Sequence, residues 1–374
     1  MRRMMGEHLP SAASADMVNF DDVLSAAAHV AGFSTRTRTL VSPSLNQRTG
    51  RELFLKAEHE QRSGSFKFRG ALNAMLTLTP AQLRMGVVAG SSGNHGHAVA
   101  LASRLLGATA VIVLPHDAPA VKREAVLALG GRVVRYDRMH ELRDEVVERI
   151  ARDDGQVVIP SSDSVAVIAG AGTVAVELLE DSMPLDMLVV PVGGGGLAAG
   201  CAIAVRALSP ATRVVGVEPV DGDDTRRSLA AGCRVGVAVP ATIADGLRHQ
   251  MPGRLTFEVN RRLLHAVVLV SDAEIVDAMT ALYEAEGTAA EPSGACALAA
   301  VLSGRLAAAP RTRVGVVISG GNMDADSAHR LIAAAPCAAT AQRATSGSTF
   351  SGSARETGWP PQQPVRRRTS SGSS

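Results

Sequence analysis

From about residue 50 to residue 320, short aliphatic and β-branched runs alternate with longer amphipathic stretches. "ELFLKAE" reads as a strand and "FRGALNAMLTL" as a helix. "GVVAG" leads into the helical pattern of "NHGHAVALASRLLG", "TAVIVLP" into "AVKREAVLALGG", and "RVVRYD" into "HELRDEVVERIARDDG". Further on, "MLVVPVGGGG" precedes "LAAGCAIAVRALS", and "RVVGVEP" follows. Late in the chain come "AVVLVS", helices from Asp272 and from about Ser293, and "RVGVVISGG". Period-2 or continuous apolar runs that alternate with 3.6-period stripes predict an α/β fold with a parallel sheet covered by helices on both faces. No repeat of solenoid period is present. In sheets of this kind ligands gather at the carboxyl ends of strands, in the loops that open the next helices.

Three glycine-rich loops occupy such places: "GSSGNHGHA" (90–98), "VPVGGGGLAAG" (190–200) and "ISGGNMD" (318–324). The tetraglycine Gly193, Gly194, Gly195, Gly196 lies between a buried-type strand and a helix. Without β-carbons its backbone can approach a phosphate, and the next helix offers free N–H groups and its positive dipole end. A second reading stays open. Gly193, Gly195 and Ala198 fit G-x-G-x-x-A, and Glu218 ends the next strand where a ribose-binding acid would stand, the pattern of an NAD-binding oxidoreductase. "SSGNHG" could seat a small carboxylate, or Ser91, Ser92 or Asn94 could simply cap the helix. "ISGGN" places backbone near a ligand or forms a plain tight turn. There is no P-loop, HExxH or GxSxG, and His95 and His97 lack a third partner at metal-ligand spacing.

Composition sharpens one position. Of 38 basic residues only Lys56, Lys67 and Lys122 are lysine. With arginine as the general cation, a lysine among small residues in "SGSFKFRG" (63–70) is a candidate for its amine, which arginine cannot supply as a nucleophile. Net charge is +2. From Pro336 onward five arginines and one glutamate leave the tail at +4 and the remainder near −2, so the body offers no nucleic-acid footprint. The four cysteines show no CxxC spacing, and Cys201 and Cys296 read as small core residues. The opening segment lacks the apolar stretch of a secretory signal, and no apolar run reaches membrane-spanning length, so a soluble cytoplasmic protein is expected. Residues 1–16 read as a loose arm. Residues 336–374, rich in Ser, Thr, Gly, Pro and Arg, read as a disordered tail that carries the single tryptophan, Trp359.

Six motifs together, "SGSFKFRGALNAM", "SSGNHGHAVALA", "VPVGGGGLAAG", "TIADGLR", "EPSGACALAAVL" and "ISGGNMD", resemble the fold-type II pyridoxal-phosphate enzymes, in particular the serine/threonine dehydratase and serine racemase group. The resemblance spans roughly residues 20–332. It implies a two-lobed, tryptophan-synthase-β-like fold: a large cofactor lobe from 17–85 plus 164–335, a small substrate lobe from 86–163, and a homodimer. Lys67 would hold pyridoxal phosphate as an imine beside Phe66, Asn94 would bond the ring hydroxyl, Gly193 to Leu197 would wrap the phosphate, and Ser319 would face the pyridine nitrogen. Ser91, Ser92, Gly93, Asn94 and His95 would cup the substrate carboxylate, with Arg143 facing the substrate. "EPVDGDD" resembles the group's divalent-cation site, in which Glu218, Asp224 and the Gly222 carbonyl would bind Mg²⁺ or Ca²⁺.

The implied chemistry suits these residue types. The substrate amine displaces Lys67, and the freed amine takes the Cα proton. The cofactor spreads the charge, the β-hydroxyl leaves, and a small amino acid such as L-threonine or L-serine becomes a 2-oxo acid and ammonia. Ser92 leaves two readings open. It binds carboxylate, or it supplies a proton opposite the lysine as in serine racemases and 3-hydroxyaspartate dehydratases. The chain departs from the group's usual pattern at Arg38, Ser161 (with one extra residue nearby), Ala171, Gly287, His97 and His249. These changes bear on the substrate more than on cofactor attachment.

Overall fold

A computed structural model describes residues 18–334, apart from 92, 119, 138, 183, 307 and 308. The arm expected at 1–16, the tail at 336–374, Cys337 and Ser92 therefore lie outside the described residues. Among the described residues the strands are β1 (Thr39–Leu40), β2 (Glu52–Ala57), β3 (Val87–Gly90), β4 (Ala110–Pro115), β5 (Arg132–Tyr136), β6 (Val157–Val158), β7 (Met187–Pro191), β8 (Arg213–Pro219), β9 (Ala266–Val270) and β10 (Arg313–Ile318). The first helices are α1 (Phe20–Val30), α2 (Pro43–Thr49), α3 (Lys67–Leu76), α4 (Pro80–Met85), α5 (Asn94–Leu106), α6 (Ala120–Ala128) and α7 (Arg143–Asp154). They are followed by α8 (Val165–Ser182), α9 (Gly196–Leu208), α10 (Asp224–Ala231), α11 (Arg254–Leu263), α12 (Asp272–Glu286), α13 (Pro292–Leu302) and α14 (Ala325–Ala334).

The strands form two sheets. One has the order β1-β2-β10-β7-β8-β9 and the other β5-β4-β3-β6. All pairings are parallel except β1 with β2. The pleat explains how the smaller sheet is covered twice. Val87, Ala89, Ile112 and Leu114 face α5 and α6 in one apolar cluster, while their neighbours Val88, Val111 and Val113 face Val146 and Val147 of α7 in another. Among the described residues, those through Met323 make one compact unit and those from Asp324 a second. In the second, the Asp324 side chain accepts from the Ser327 N–H at 2.8 Å at the start of α14.

Most elements follow the apolar pattern, but α8 does not announce itself. It is buried nearly all round, so it has no polar face to mark a helical stripe. It packs on α9, α3 and α1. At its crossing with α9, a Cβ on Gly200 would overlap the Ile168 carbonyl and lie 2.6 Å from the Gly172 nitrogen, so the two backbones touch. Cys201 and Cys296 are buried free thiols, as their Ala-rich surroundings suggest.

Candidate active site

Lys67 opens α3 directly after Phe66. The preceding residues are tied to the strand-end loop of β10: the Phe66 N–H donates to the Ser319 carbonyl at 3.0 Å, and Ser65 bridges Gly320. The Lys67 amine therefore sits at the carboxyl end of the larger sheet. It donates to the Ser161 carbonyl at 2.6 Å and lies 5.2 Å from the centre of the Phe66 ring. Lys67 retains some accessible surface, but no carboxylate faces its amine among the described contacts. Burial alone lowers its pKa from 10.5 to about 8.

The tetraglycine is one peptide away. A Cβ on Gly194 would overlap the Ser162 hydroxyl, and one on Gly196 would lie 2.9 Å from the Ser162 carbonyl. Gly195 caps α9 at φ 86°, a left-handed conformation that favours glycine. Its carbonyl accepts from Asn260 Nδ2 at 3.3 Å, and that of Gly194 accepts from the Thr256 hydroxyl at 2.8 Å. Asp163 in turn caps α11 across 91 residues or more, accepting from the N–H groups of Arg254, Leu255 and Thr256 at 2.8–3.0 Å. Thus Ser161, Ser162 and Asp163 successively hold the amine, wall the glycines and fix the helix behind them.

Glycine at 193 admits His249, whose ring nitrogens would lie 2.9 Å from a Cβ at 193 and 3.0 Å from one at 194. Burial, then the charges of Lys67 and Arg143, push its pKa down to about 4, and its Nδ1 is buried without a partner. His95 is buried with Nε2 2.8 Å from the Ile159 carbonyl. Burial and the Lys67 charge lower it to about 3, so both imidazoles are neutral at physiological pH. Facing a carbonyl, Nε2 carries the proton of the neutral His95 ring and donates it. Ser91 accepts from the Gly93 N–H at 3.1 Å, and Gly93 caps α5 without a side-chain cap. Capping by Ser91 or Asn94 is thus not how this helix starts. Arg143 opens α7 and lines a cleft of about 250 Å³ with Gly90, Pro160, Ser161 and Ser162, while its Nε donates to Asp144 at 2.8 Å.

Asn94 Nδ2 donates to Glu291 Oε1 at 2.5 Å, and Asn94 Oδ1 accepts from Asn322 at 2.8 Å. Glu291 is buried. Burial, then the negative charge of Asp245, push its pKa up to about 8. It lies in the quoted "EPSGACALAAVL", but residue type gave no reason to single it out. Its partner stands 197 residues away, so only the folded chain shows the pair. Ser319 is buried, with its hydroxyl 3.4 Å from the Ser293 carbonyl.

Glu218 is also buried, and both its oxygens are committed to the start of α10, accepting from the Thr225 and Arg226 N–H groups at 2.9 Å. A carboxylate with no exposed surface cannot meet a ribose, which removes the main support of the NAD reading. Beside it, Asp224 is wholly buried and neither of its oxygens has a hydrogen-bond partner. Burial drives Glu218 up to about 8 and Asp224 to about 7, with the Asp224 charge adding to the shift of Glu218. Gly222 lies in the same turn, its N–H bonded to Pro219 at 3.0 Å. Among the described residues no group of three or more His, Cys, Asp or Glu side chains could hold a metal. Of the residues picked from the sequence, Lys67 and the tetraglycine thus meet across Ser161 and Ser162, and the acidic turn stands as a separate feature.

The model of the family described as "pyridoxal-phosphate dependent enzyme" matches residues 30–320. The chain belongs to that family. It is 45% identical over 306 residues to the L-threo-3-hydroxyaspartate ammonia-lyase of a Pseudomonas species, covering 82% of this chain and 96% of the relative. It is 40% identical to the catabolic L-threonine dehydratase of Escherichia coli, covering 82% and 94%. The solved serine racemase of maize superposes with a TM-score of 0.80 at 41% identity, covering 84% of this chain and 96% of that one. The two parallel sheets are those of the tryptophan-synthase-β-like fold that the motifs implied. The residues present suit the family's cofactor. A low-pKa amine lies beside a tetraglycine, the first turn of α9 has no side-chain cap, and the buried His249 Nδ1 is unsatisfied.

Proposed function

We propose that this enzyme dehydrates a small β-hydroxy amino acid, L-threonine or L-serine, releasing a 2-oxo acid and ammonia. The observation that carries the reading is the Lys67 amine, part-neutral near pH 8 and one peptide from the wall of the tetraglycine. In this reading Lys67 holds pyridoxal phosphate with Phe66, Asn94, Gly193 to Leu197 and Ser319 around it. The bound cofactor supplies an electron sink that acidifies the substrate Cα–H. The neutral Lys67 amine takes that proton. Ser91, Gly93, Asn94, His95 and the uncapped start of α5 orient the carboxylate. Water leaves as the β-hydroxyl is lost, and one water returns when the amino group is released as ammonia. The division into a substrate lobe at 86–163 and a cofactor lobe is supported by the smaller sheet, whose strands run from Val87 to Val158. The test is release of 2-oxo acid and ammonia from L-serine, L-threonine and L-threo-3-hydroxyaspartate. Turnover of none of them retires the dehydratase reading.

A second reading, 3-hydroxyaspartate as substrate, is favoured by Arg143, a cation in the cleft beside Ser161 that could meet a second carboxylate. Arg143→Ala should then raise KM for hydroxyaspartate far more than for serine. Racemisation turns on Ser92, and chiral analysis of the serine recovered from the assay reads it. Mg²⁺ or Ca²⁺ at Glu218, Asp224 and the Gly222 carbonyl is supported by the unsatisfied oxygens of Asp224, a hard donor set that suits a hard cation. Chelation should then lower activity, and Glu218→Ala should abolish the response to added cation. Homodimeric assembly and a cytoplasmic place belong to the same reading. No helix among the described residues is long and apolar enough to cross a membrane.

A further inference from the structure

The Asn322 side chain touches two of the loops that meet at the site, although it belongs to neither. Its Nδ2 donates to the Ser63 carbonyl at 2.7 Å, in the Lys67 loop, and to Asn94 Oδ1 at 2.8 Å, at the start of α5. It has room because position 64 is glycine, at φ 72°. A Cβ there would overlap the Asn322 amide. An amide NH₂ carries two hydrogens, and these two acceptors use both. Asn94 Oδ1 is therefore held as an acceptor, and Asn94 must present its nitrogen on the other side. One of its hydrogens goes to Glu291 Oε1 at 2.5 Å and the second remains. Gly320 completes the fit, since a Cβ there would overlap Glu291 Oε1 and lie 3.1 Å from Asn94 Nδ2.

We infer that Asn322 is a positioning residue that fixes which end of the Asn94 amide faces the cofactor, so that the ring oxygen meets an N–H donor and not a carbonyl lone pair. The inference rests on the reading above, in which Asn94 faces the ring hydroxyl. Asn322→Asp separates this role from packing. It keeps the shape, removes both donors and sets a carboxylate against the Ser63 carbonyl and Asn94 Oδ1. Asn94 relieves the repulsion by rotating its amide half a turn, which turns its oxygen toward the ring. Asn322→Ala frees the amide without inverting it.

The experiment is the visible absorption spectrum of the full-length, pyridoxal-phosphate-loaded protein between pH 6 and 9, together with kcat on its best hydroxy amino acid. For Asn322→Asp the visible band should shift to shorter wavelength or titrate where the wild type does not, with kcat about tenfold lower or more. Asn322→Ala should fall between the two. If the Asp variant fails to fold, the spectrum of the Ala variant decides: a shift supports the inference and an unchanged band overturns it. A wild-type spectrum and kcat in the Asp variant, or more damage from Ala than from Asp, overturns it too. A wild-type protein that stays colourless with pyridoxal phosphate overturns the cofactor reading and this inference together. A coloured wild type with an unaltered Asp variant sinks the inference alone.

Discussion

Lys56 and Lys67 lie eleven positions apart on either side of one turn, and the fold uses them in opposite ways. Lys56, on β2, is wholly buried. Its amine donates to Glu177 at 2.7 Å and to the Thr37 carbonyl at 2.8 Å. It joins a network in which Arg69 meets Glu58 at 2.8 Å and Glu177 at 2.7 Å, and the Thr37 hydroxyl donates to Glu58 at 2.6 Å. Although burial acts upward, Arg69 and Lys56 hold the Glu177 carboxyl below its usual range. Among the described contacts Lys67 has a main-chain carbonyl and a ring face, and no counter-charge. A buried amine with a carboxylate stays a structural cation, and one without it becomes a poised nucleophile. Scarcity of lysine in the sequence is thus a weak guide by itself, because it marks both.

The contrast can be broken most sharply at Lys67. Lys67→Ala should cut turnover by about a thousandfold or more and remove the visible band of the loaded protein, while leaving urea denaturation nearly unchanged. Lys56→Ala should do the reverse. It strips one counter-charge from buried Glu177 and should lower unfolding free energy by about 3 kcal/mol, with the band retained in the folded fraction. Titration sharpens the comparison further. In cofactor-free protein the folded Lys67 releases its proton near 8, whereas the unfolded chain holds it to 10.5. Stability should therefore rise with pH between these values, and the rise should flatten in Lys67→Ala. Below pH 8, the rate of cofactor uptake should climb about tenfold per pH unit, as the neutral amine does. The third lysine sets the floor. Lys122 pairs with Asp245 at 2.9 Å on a solvated surface, so Lys122→Ala should change stability by no more than about 0.5 kcal/mol.

What could be read from sequence were features whose cause is local. The strands that end at Gly90, Pro191 and Ile318 are short apolar runs stopped by glycine-rich turns, and the loops after them carry the chemistry. What could not be read depends on partners brought together by folding. Helix α8 has no polar stripe because α1, α3 and α9 cover it. Asp163 looks like a loop acid until α11 arrives above it, and Asn322 looks like a turn residue until Gly64 and Asn94 flank it. Glu218 fitted two ligands on spacing alone, and its burial, with both oxygens bonded to the first N–H groups of α10, could be seen only in the fold.

The run Ser161–Ser162–Asp163 sets three anchorages on consecutive residues. The contact that Ser161 makes with the amine uses main chain, so that position should accept many side chains. Spacing is another matter. Removing one residue would pull three neighbouring anchorages out of phase at once, making this short connector tolerant of spelling and strict about count.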